Sequence, residues 1–228
     1  MKLFQPKDGY RYNSDTVMLY NFITKLNGNV LDVGCGCGIL GLLLKRDFEK
    51  ISLTMIDILE KNIQISIKNS NNNLLEANII NGNFCDMNES LKFDFIVSNP
   101  PFYNDGALKS ENMHRNFSRY SSNLSLENFL DKSYKLLKPK GAIFFCYDAK
   151  RIHEISFLLY NLKFTLNKVQ FVHPKVTKKS KLVLIEARKN SKSLCEILPP
   201  IFVNCDNGYS DEAKEIFAKA DLLSVDYE

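Results

Sequence analysis

Between residues 29 and about 190, short apolar runs alternate with stretches of helical spacing, and no other feature constrains the fold as tightly. "NVLDVG" (29–34) is predicted to be a buried strand, and "GILGLLLKRDF" (38–48) the helix that follows it. "ISLTMID" (51–57) is a second strand, leading into an amphipathic helix over "ILEKNIQISIKNS" (58–70). "ANIIN" (77–81) and "FDFIVS" (93–98) are the third and fourth strands. "SLENFLDKSYKLLK" (125–138) has helical spacing and is expected to stop at Pro139 and Gly141. "AIFFCY" (142–147) is a fifth strand, and "AKRIHEISFLLYNL" (149–162) another helix. Such β-α repetition implies a parallel sheet with helices on both faces. "FTLNKVQFV" (164–172) and "KLVLIEAR" (181–188) are too close together for a crossover helix. They are expected to pair antiparallel at the sheet edge. "NSNNN" (69–73) reads as a polar turn, and the chain after Leu194 as an extended segment with a closing helix.

A chain of 228 residues that is 45% hydrophobic suits one domain with a large core. No apolar run reaches the roughly 20 residues that a membrane span requires. "MKLFQPKDGYRYNSD" lacks the apolar stretch of a signal peptide, so a cytoplasmic protein without membrane contact is expected. The cysteines at 35, 37, 85, 146, 195 and 205 form no C-x-x-C pair; four sit in or beside apolar runs, and buried free thiols are expected over metal or redox roles. His114, His153 and His173 have no metal-ligand spacing, and no metal is expected. From Lys163 to Lys192, nine basic residues face one acidic residue, leaving the rest of the chain at about −4 against the net +4. That asymmetry points to an anionic partner, or to a solvated basic face.

A mostly parallel seven-stranded sheet with an antiparallel edge strand resembles the Rossmann-like fold of class I S-adenosylmethionine methyltransferases. The loop after the first strand bears on this choice. "LDVGCGCGILG" contains G-x-G-x-x-G when counted from Gly36, with Asp57 about 20 residues on, as in dinucleotide-binding proteins. The glycine directly after the strand is Gly34, however, and from there the spacing is G-x-G-x-G, with Ile39 at the third glycine of the dinucleotide pattern. With Asp32 the pattern becomes D-x-G-x-G-x-G, which resembles the first motif of class I methyltransferases. The resemblance implies that Asp32 orders the loop of Gly34, Gly36 and Gly38 and helps receive the cationic amino end of S-adenosyl-L-methionine. Asp57 would grip the ribose hydroxyls, a role NAD sites share. Asp86 is placed for the adenine amino group, or else caps a short helix. Cys35, Ile58 and Cys85 complete the expected donor-binding loops. Cys35 and Cys37 depart from the Ala or Ser that is commoner in such loops.

"SNPPF" follows the fourth strand. A planar NH₂ with a delocalised lone pair attacks a sulfonium methyl poorly until that lone pair is turned toward it. The Asn99 side-chain oxygen and the Pro100 carbonyl can accept the two N–H bonds and hold the nitrogen in line. Pro100 and Pro101 restrict the loop, and Phe102 can stack on a base for about 1–3 kcal/mol. The expected catalytic set is therefore Asn99, Pro100, Pro101 and Phe102, with Asn99 also beside the donor. "NPPF" resembles the [DNS]-PP-[YFW] motif of amino-methyltransferases acting on adenine N6, cytosine N4 or glutamine side chains.

Release-factor glutamine methyltransferases share the motif but carry a helical domain ahead of it, which 28 residues are not expected to accommodate. "FQPKDGYRYNSDTVMLYNFI" instead resembles the N-terminal segment of bacterial tRNA(Val) adenine-N6 methyltransferases. Tyr10, Tyr12 and Asp15 match it, which implies that all three lie near the cofactor and that a helix starts after a Ser14-Asp15 cap. Arg119-Tyr120 and the segments "FVHPKVTKKSKLVLIEARK" and "LPPIFVNCDNGYSDEAKEIF" also resemble that family. One domain over 1–228 follows, with a cofactor-covering segment (1–28), a core (29–190) and a C-terminal extension (191–228). The implied activity is N6-methylation of a tRNA adenine by a monomer. Arg115, Arg119, Lys175, Lys178, Lys179 and Lys181 are the expected RNA contacts, and the target base must be extruded to reach Asn99. The alternatives are another RNA or DNA adenine, a protein glutamine, a silent RNA-binding module, and, more distantly, a NAD-dependent dehydrogenase.

Overall fold

The computed structural model describes residues 1–7, 13–100 and 124–227. Along the chain, β1 (Lys2–Pro6) and α1 (Ser14–Phe22) come first. Then follow β2 (Asn29–Val33), α2 (Ile39–Asp47), β3 (Ser52–Asp57), α3 (Glu60–Asn72), β4 (Asn78–Asn81) and β5 (Phe93–Ser98). After residue 123 come α4 (Leu126–Leu136), β6 (Leu137–Asp148), α5 (Ile152–Asn161), β7 (Phe164–His173) and β8 (Leu182–Lys189). The last stretch holds four two-residue strands, β9 (Glu196–Ile197), β10 (Ile201–Phe202), β11 (Asn204–Cys205) and β12 (Gly208–Tyr209), then α6 (Asp211–Ala220) and β13 (Leu223–Tyr227).

The central sheet runs β10-β7-β8-β6-β5-β2-β3-β4, with β9 on the flank of β7. Strands β4, β3, β2, β5 and β6 are mutually parallel, which puts all their carboxyl ends on one edge. The β7–β8 pair is antiparallel, as its short connection requires. The reversed strand is β8, inserted between β6 and β7. Two of the short tail strands, β9 and β10, extend the sheet beyond the seven expected strands.

Parallel strands are covered on both faces, and the apolar runs encode this directly. Val30, Met55, Val97, Phe144 and Leu184 point into the core shared with α1, α2 and α6. Their neighbours Leu31, Ile56, Ile96, Phe145 and Ile185 point into the core shared with α4 and α5. The result is a three-layer α/β/α arrangement whose loops carry chemistry on the carboxyl edge.

Two local readings are corrected. Residues 69–73 are not a turn, because α3 continues to Asn72. The buried Asn69 side chain accepts from the Phe4 amide (2.7 Å) and donates to the carbonyls of Phe4 (2.9 Å) and Cys37 (2.8 Å). Asn73, four residues on, does the same for Lys2, accepting at 3.1 Å and donating at 2.7 Å. The asparagines thus serve as a strand edge for β1, whose other side pairs with β13. Second, Pro139 and Gly141 do not end a helix. β6 starts at Leu137, and its register with β5 jumps from Phe93–Leu137 to Phe95–Ala142, a bulge that holds both residues.

Asn69→Ala is expected to lower stability by about 1–3 kcal/mol, because it strips partners from buried backbone groups. Urea denaturation would measure it; a change below about 0.5 kcal/mol would mean that Asn73 and β13 suffice to hold β1.

Candidate functional site

Asp32 stands one residue before the end of β2 and is 1% exposed. Its Oδ2 accepts from the Gly41 amide at 2.9 Å, so the first turn of α2 is drawn onto the strand end. A side chain at 41 would bring a Cβ within 2.9 Å of that same oxygen, which accounts for the fourth glycine. Burial, opposed by the Gly41 bond and reinforced by the charge of Asp57, pushes the Asp32 carboxyl up to about 7.

Between β2 and α2 the chain folds back on itself, with Gly34, Gly36 and Gly38 all in the left-handed region. The amides of Gly34 and Cys35 donate to the Ile56 carbonyl (2.9 and 3.1 Å). A Cβ added at Gly34 or Gly36 would meet nothing within 4 Å, so these backbone faces look into open space. That space is a cleft lined by Thr16, Asp32, Gly34, Cys35, Gly36, Cys37, Ile39, Leu40 and Asn99. Gly38 caps α2 behind it.

The other expected donor-site residues follow at neighbouring strand ends. Asp57 closes β3, where its Oδ2 accepts from the Gly36 amide (2.9 Å) and its Oδ1 from the Leu59 amide (2.9 Å) and Asn62 Nδ2 (3.1 Å). In this structure its carboxylate therefore braces the glycine loop. Asn62 was missed in the sequence, where it looks like one more polar helix residue. Ile58 is 47% exposed beside Asp57. Cys85 is half-buried and Asp86 exposed on the helical turn Phe84–Asp86 after β4. The cap of that turn is Asn83, which accepts from the Cys85 amide, so Asp86 is not the capping residue. Asp57, Ile58, Cys85 and Asp86 do not line the cleft that holds Asp32 and Asn99.

Asn99 follows β5, whose last residue Ser98 donates its hydroxyl to the Val33 carbonyl at 2.8 Å. That bond ties the Asn99 strand end to the glycine-loop strand end. Asn99 Nδ2 donates to Thr16 Oγ1 (2.9 Å), and its Oδ1 accepts from the Cys146 thiol (3.0 Å). Pro100 is buried beside it. Thr16 belongs to α1, which starts at Ser14 and is capped by Asn13, not by the expected Ser14-Asp15 pair. Asp15 lies half-buried in that first turn, and burial raises its carboxyl. Tyr10, Tyr12, Pro101, Phe102, Arg115, Arg119 and Tyr120 lie outside the described residues.

Lys175, Lys178, Lys179 and Lys181 occupy the turn between β7 and β8. Val33 pairs with Ser98, Ser98 with Phe145, and Asp148 with Leu182, so this turn opens on the same carboxyl edge as the cleft. At the usual spacing of about 4.8 Å per strand, it lies roughly 14–19 Å along the edge from the glycine loop. Lys178, Lys179 and Lys181 are exposed, and Lys175 faces Asp206 at 3.9 Å.

The methyltransferase small domain family matches residues 13–176, well over half of the chain. The chain belongs to this family. Its fold also matches solved methyltransferases. A predicted O-methyltransferase from Agrobacterium tumefaciens superposes with a TM-score of 0.71 at 12% identity, over 92% of this chain and 99% of that one. The T. thermophilus 16S rRNA N2 G1207 methyltransferase (RsmC), in complex with AdoMet and guanosine, gives a TM-score of 0.59 at 20% identity. That match covers 81% of this chain and 45% of the other. In sequence, the ribosomal RNA small subunit methyltransferase C of Aliivibrio fischeri is 38% identical over 133 residues, 58% of this chain and 35% of the relative. The one from Actinobacillus pleuropneumoniae is 42% identical over 85 residues, 37% of this chain and 25% of the relative. The chain thus spans about a quarter to a third of the curated relatives it matches. They are named for a ribosomal substrate, whereas the terminal segments suggested a tRNA family. Among the described residues, no cluster of three or more His, Cys, Asp or Glu could hold a metal, and no helix is long and apolar enough to cross a membrane.

Because the Asp32 carboxyl is raised from 3.8 to about 7, the ligand-free folded domain keeps a proton that the unfolded chain gives up. This group's contribution therefore falls as pH rises from about 4 to about 7 and levels off above that. Asp32→Asn is expected to remove that part of the pH dependence, read as the difference between the two urea-midpoint profiles. Parallel profiles would mean that Asp32 is ionised across the whole range.

Proposed function

We propose that this methyltransferase domain uses S-adenosylmethionine to methylate an exocyclic purine amine in a structured RNA. The observation that carries the reading is the position of the Asn99 carboxamide, on the rim of the cleft that the glycine loop opens. The cleft suits this donor: backbone faces free of side chains at Gly34 and Gly36 admit a close-lying ligand, and Asp32 offers negative charge to its ammonium group. When bound, the donor supplies an electrophilic methyl group on a sulfonium.

Every other requirement falls on the chain itself. Asn99 Oδ1 and the Pro100 carbonyl accept the two N–H bonds of the acceptor amine. They turn its lone pair out of conjugation and stabilise the positive charge that grows on nitrogen. No strong general base is needed, because the methylated nitrogen becomes acidic enough to lose its proton to solvent. Phe102, three residues after Asn99, is assigned to stack on the extruded base. The lysines of the 174–181 turn would meet RNA phosphates along the same edge.

For the finer substrate, the N-terminal and C-terminal segments favour adenine N6 in a tRNA, with the anticodon loop of tRNA(Val) as the first candidate. The names of the curated relatives favour a second reading, guanine N2 in small-subunit ribosomal RNA. Both targets are exocyclic amines, and the Asn99 clamp serves either one.

The test is transfer of labelled methyl to unmodified tRNA and to small-subunit ribosomal RNA, followed by nucleoside mass spectrometry. N6-methyladenosine from tRNA is the expected product, and N2-methylguanosine from ribosomal RNA would support the second reading. Donor binding without methylation of either RNA would sink both. Asn99→Ala should lower kcat by about a hundredfold or more while donor affinity stays near wild type; near-normal turnover would end the clamp account.

Replacing Lys175, Lys178 and Lys179 with Gln should raise KM for RNA and flatten its salt dependence by as much as about 0.9 in log–log slope for each phosphate no longer neutralised. An unaltered slope in filter-binding titrations would assign these lysines to bystander surface.

A further inference from the structure

A primary amide at the end of a strand can rotate about χ2, and only one of its two orientations turns oxygen toward an incoming amine. Asn99 has two described partners, drawn from distant parts of the chain. Thr16 Oγ1, in the first turn of α1, takes the Nδ2 end at 2.9 Å. Cys146, fully buried on β6, gives its thiol hydrogen to the Oδ1 end at 3.0 Å. A hydroxyl can donate or accept, so Thr16 anchors the amide without choosing its orientation. The thiol favours one orientation, since S–H to the amide oxygen is the better bond and a reversed amide would offer its N–H only to sulfur, a weak acceptor. Burial, with the Asp15 carboxylate nearby, pushes the Cys146 thiol well above its ordinary range, so the hydrogen stays on sulfur.

The direction of approach matters as much as the pairing. Thr16 and Asn99 line the cleft and Cys146 does not, so the thiol reaches the amide from the core side. An amide oxygen has two lone pairs, so the thiol leaves one of them to accept from an amine in the cleft that Asn99 lines. We propose that Thr16 and Cys146 are positioning residues that lock the Asn99 carboxamide with its oxygen presented to the acceptor amine. The inference rests on the reading of Asn99 as the amine clamp. It also gives α1 a task beyond covering the sheet, because the helix start and β6 close on the catalytic amide from two sides.

The experiment pairs disruptive with conservative substitutions in the full-length chain. Thr16→Val keeps the shape and removes the hydroxyl, and Cys146→Ala removes the thiol donor. Each is expected to lower kcat by about tenfold or more with KM for RNA and S-adenosylmethionine affinity within about twofold, since orientation is lost and binding is not. Thr16→Ser and Cys146→Ser, which restore a hydroxyl donor, should return kcat to within about threefold of wild type. Wild-type kcat in both Thr16→Val and Cys146→Ala would overturn the proposal, as would equal losses in the serine variants. A second readout is independent of catalysis. In ¹⁵N-asparagine-labelled protein, the side-chain NH₂ signals absent from Asn99→Ala belong to Asn99. They should exchange slowly with solvent in the wild type and quickly in Thr16→Val and Cys146→Ala. Unchanged exchange would overturn the proposal whether or not any RNA is methylated, whereas rapid exchange in an inactive wild type would refute it together with the clamp reading.

Discussion

The buried carboxylate of Asp32 and its bond to the Gly41 amide set the geometry of the whole carboxyl edge. A carboxylate with almost no solvent contact is costly to charge, and one backbone amide does not offset that cost. The chain pays in conformation: helix α2 must start close enough for its first turn to reach the strand, which forces a glycine at 41 and three left-handed glycines before it. Asp57 then stabilises the loop from the next strand by holding the Gly36 amide. With the loop fixed, Ser98 bonds the end of β5 to the end of β2, and this brings Asn99 into the same cleft. In the proposed function, the donor's ammonium group would supply the countercharge that Asp32 lacks in the free protein.

Much of this was legible in the sequence because parallel strands buried on both faces must be apolar throughout, and their loops must turn back over the same edge. The strand over 93–98 is found at Phe93–Ser98, and the other core strands lie within a residue or two of expectation except β6, whose start is hidden by the bulge at Pro139 and Gly141. The asparagines resisted reading for a physical reason. Asn is common in turns because its side chain imitates the peptide group, and the same property lets Asn69 and Asn73 imitate a neighbouring strand for β1. Nothing in the local pattern separates these two uses. The decision lies in β1, some 65 residues away in sequence.

The site shows the same division. Asp32, the glycines and Asn99 could be singled out because their spacing is local, and the fold brings Asp32, Gly34, Gly36 and Asn99 to one cleft. Thr16 and Cys146 are an ordinary helix residue and an ordinary apolar strand residue until the fold sets them against one amide. The substrate is hidden more deeply still. In the proposed function, an asparagine oxygen and a backbone carbonyl recognise an NH₂ group, not the ring that carries it, so specificity would come from surfaces that touch the rest of the nucleotide and its neighbours.

Charge separation along the carboxyl edge bears on that last point. The glycine-loop end carries the acidic groups of Asp32 and Asp57, which in the proposed function suit a cationic donor better than a phosphate. The turn over 174–181 carries exposed lysines roughly 14–19 Å away, beyond the Debye length of about 8–10 Å at physiological salt. At that distance the two fields act separately on their ligands. In the proposed function, the lysines would hold an RNA backbone without drawing phosphate into the donor cleft, and the acidic groups would hold a cation without repelling the RNA from the turn. In that reading, a target base would bridge the gap by leaving its stack. Such an arrangement would favour nucleotides in loops, where unstacking costs least, over those in continuous duplex.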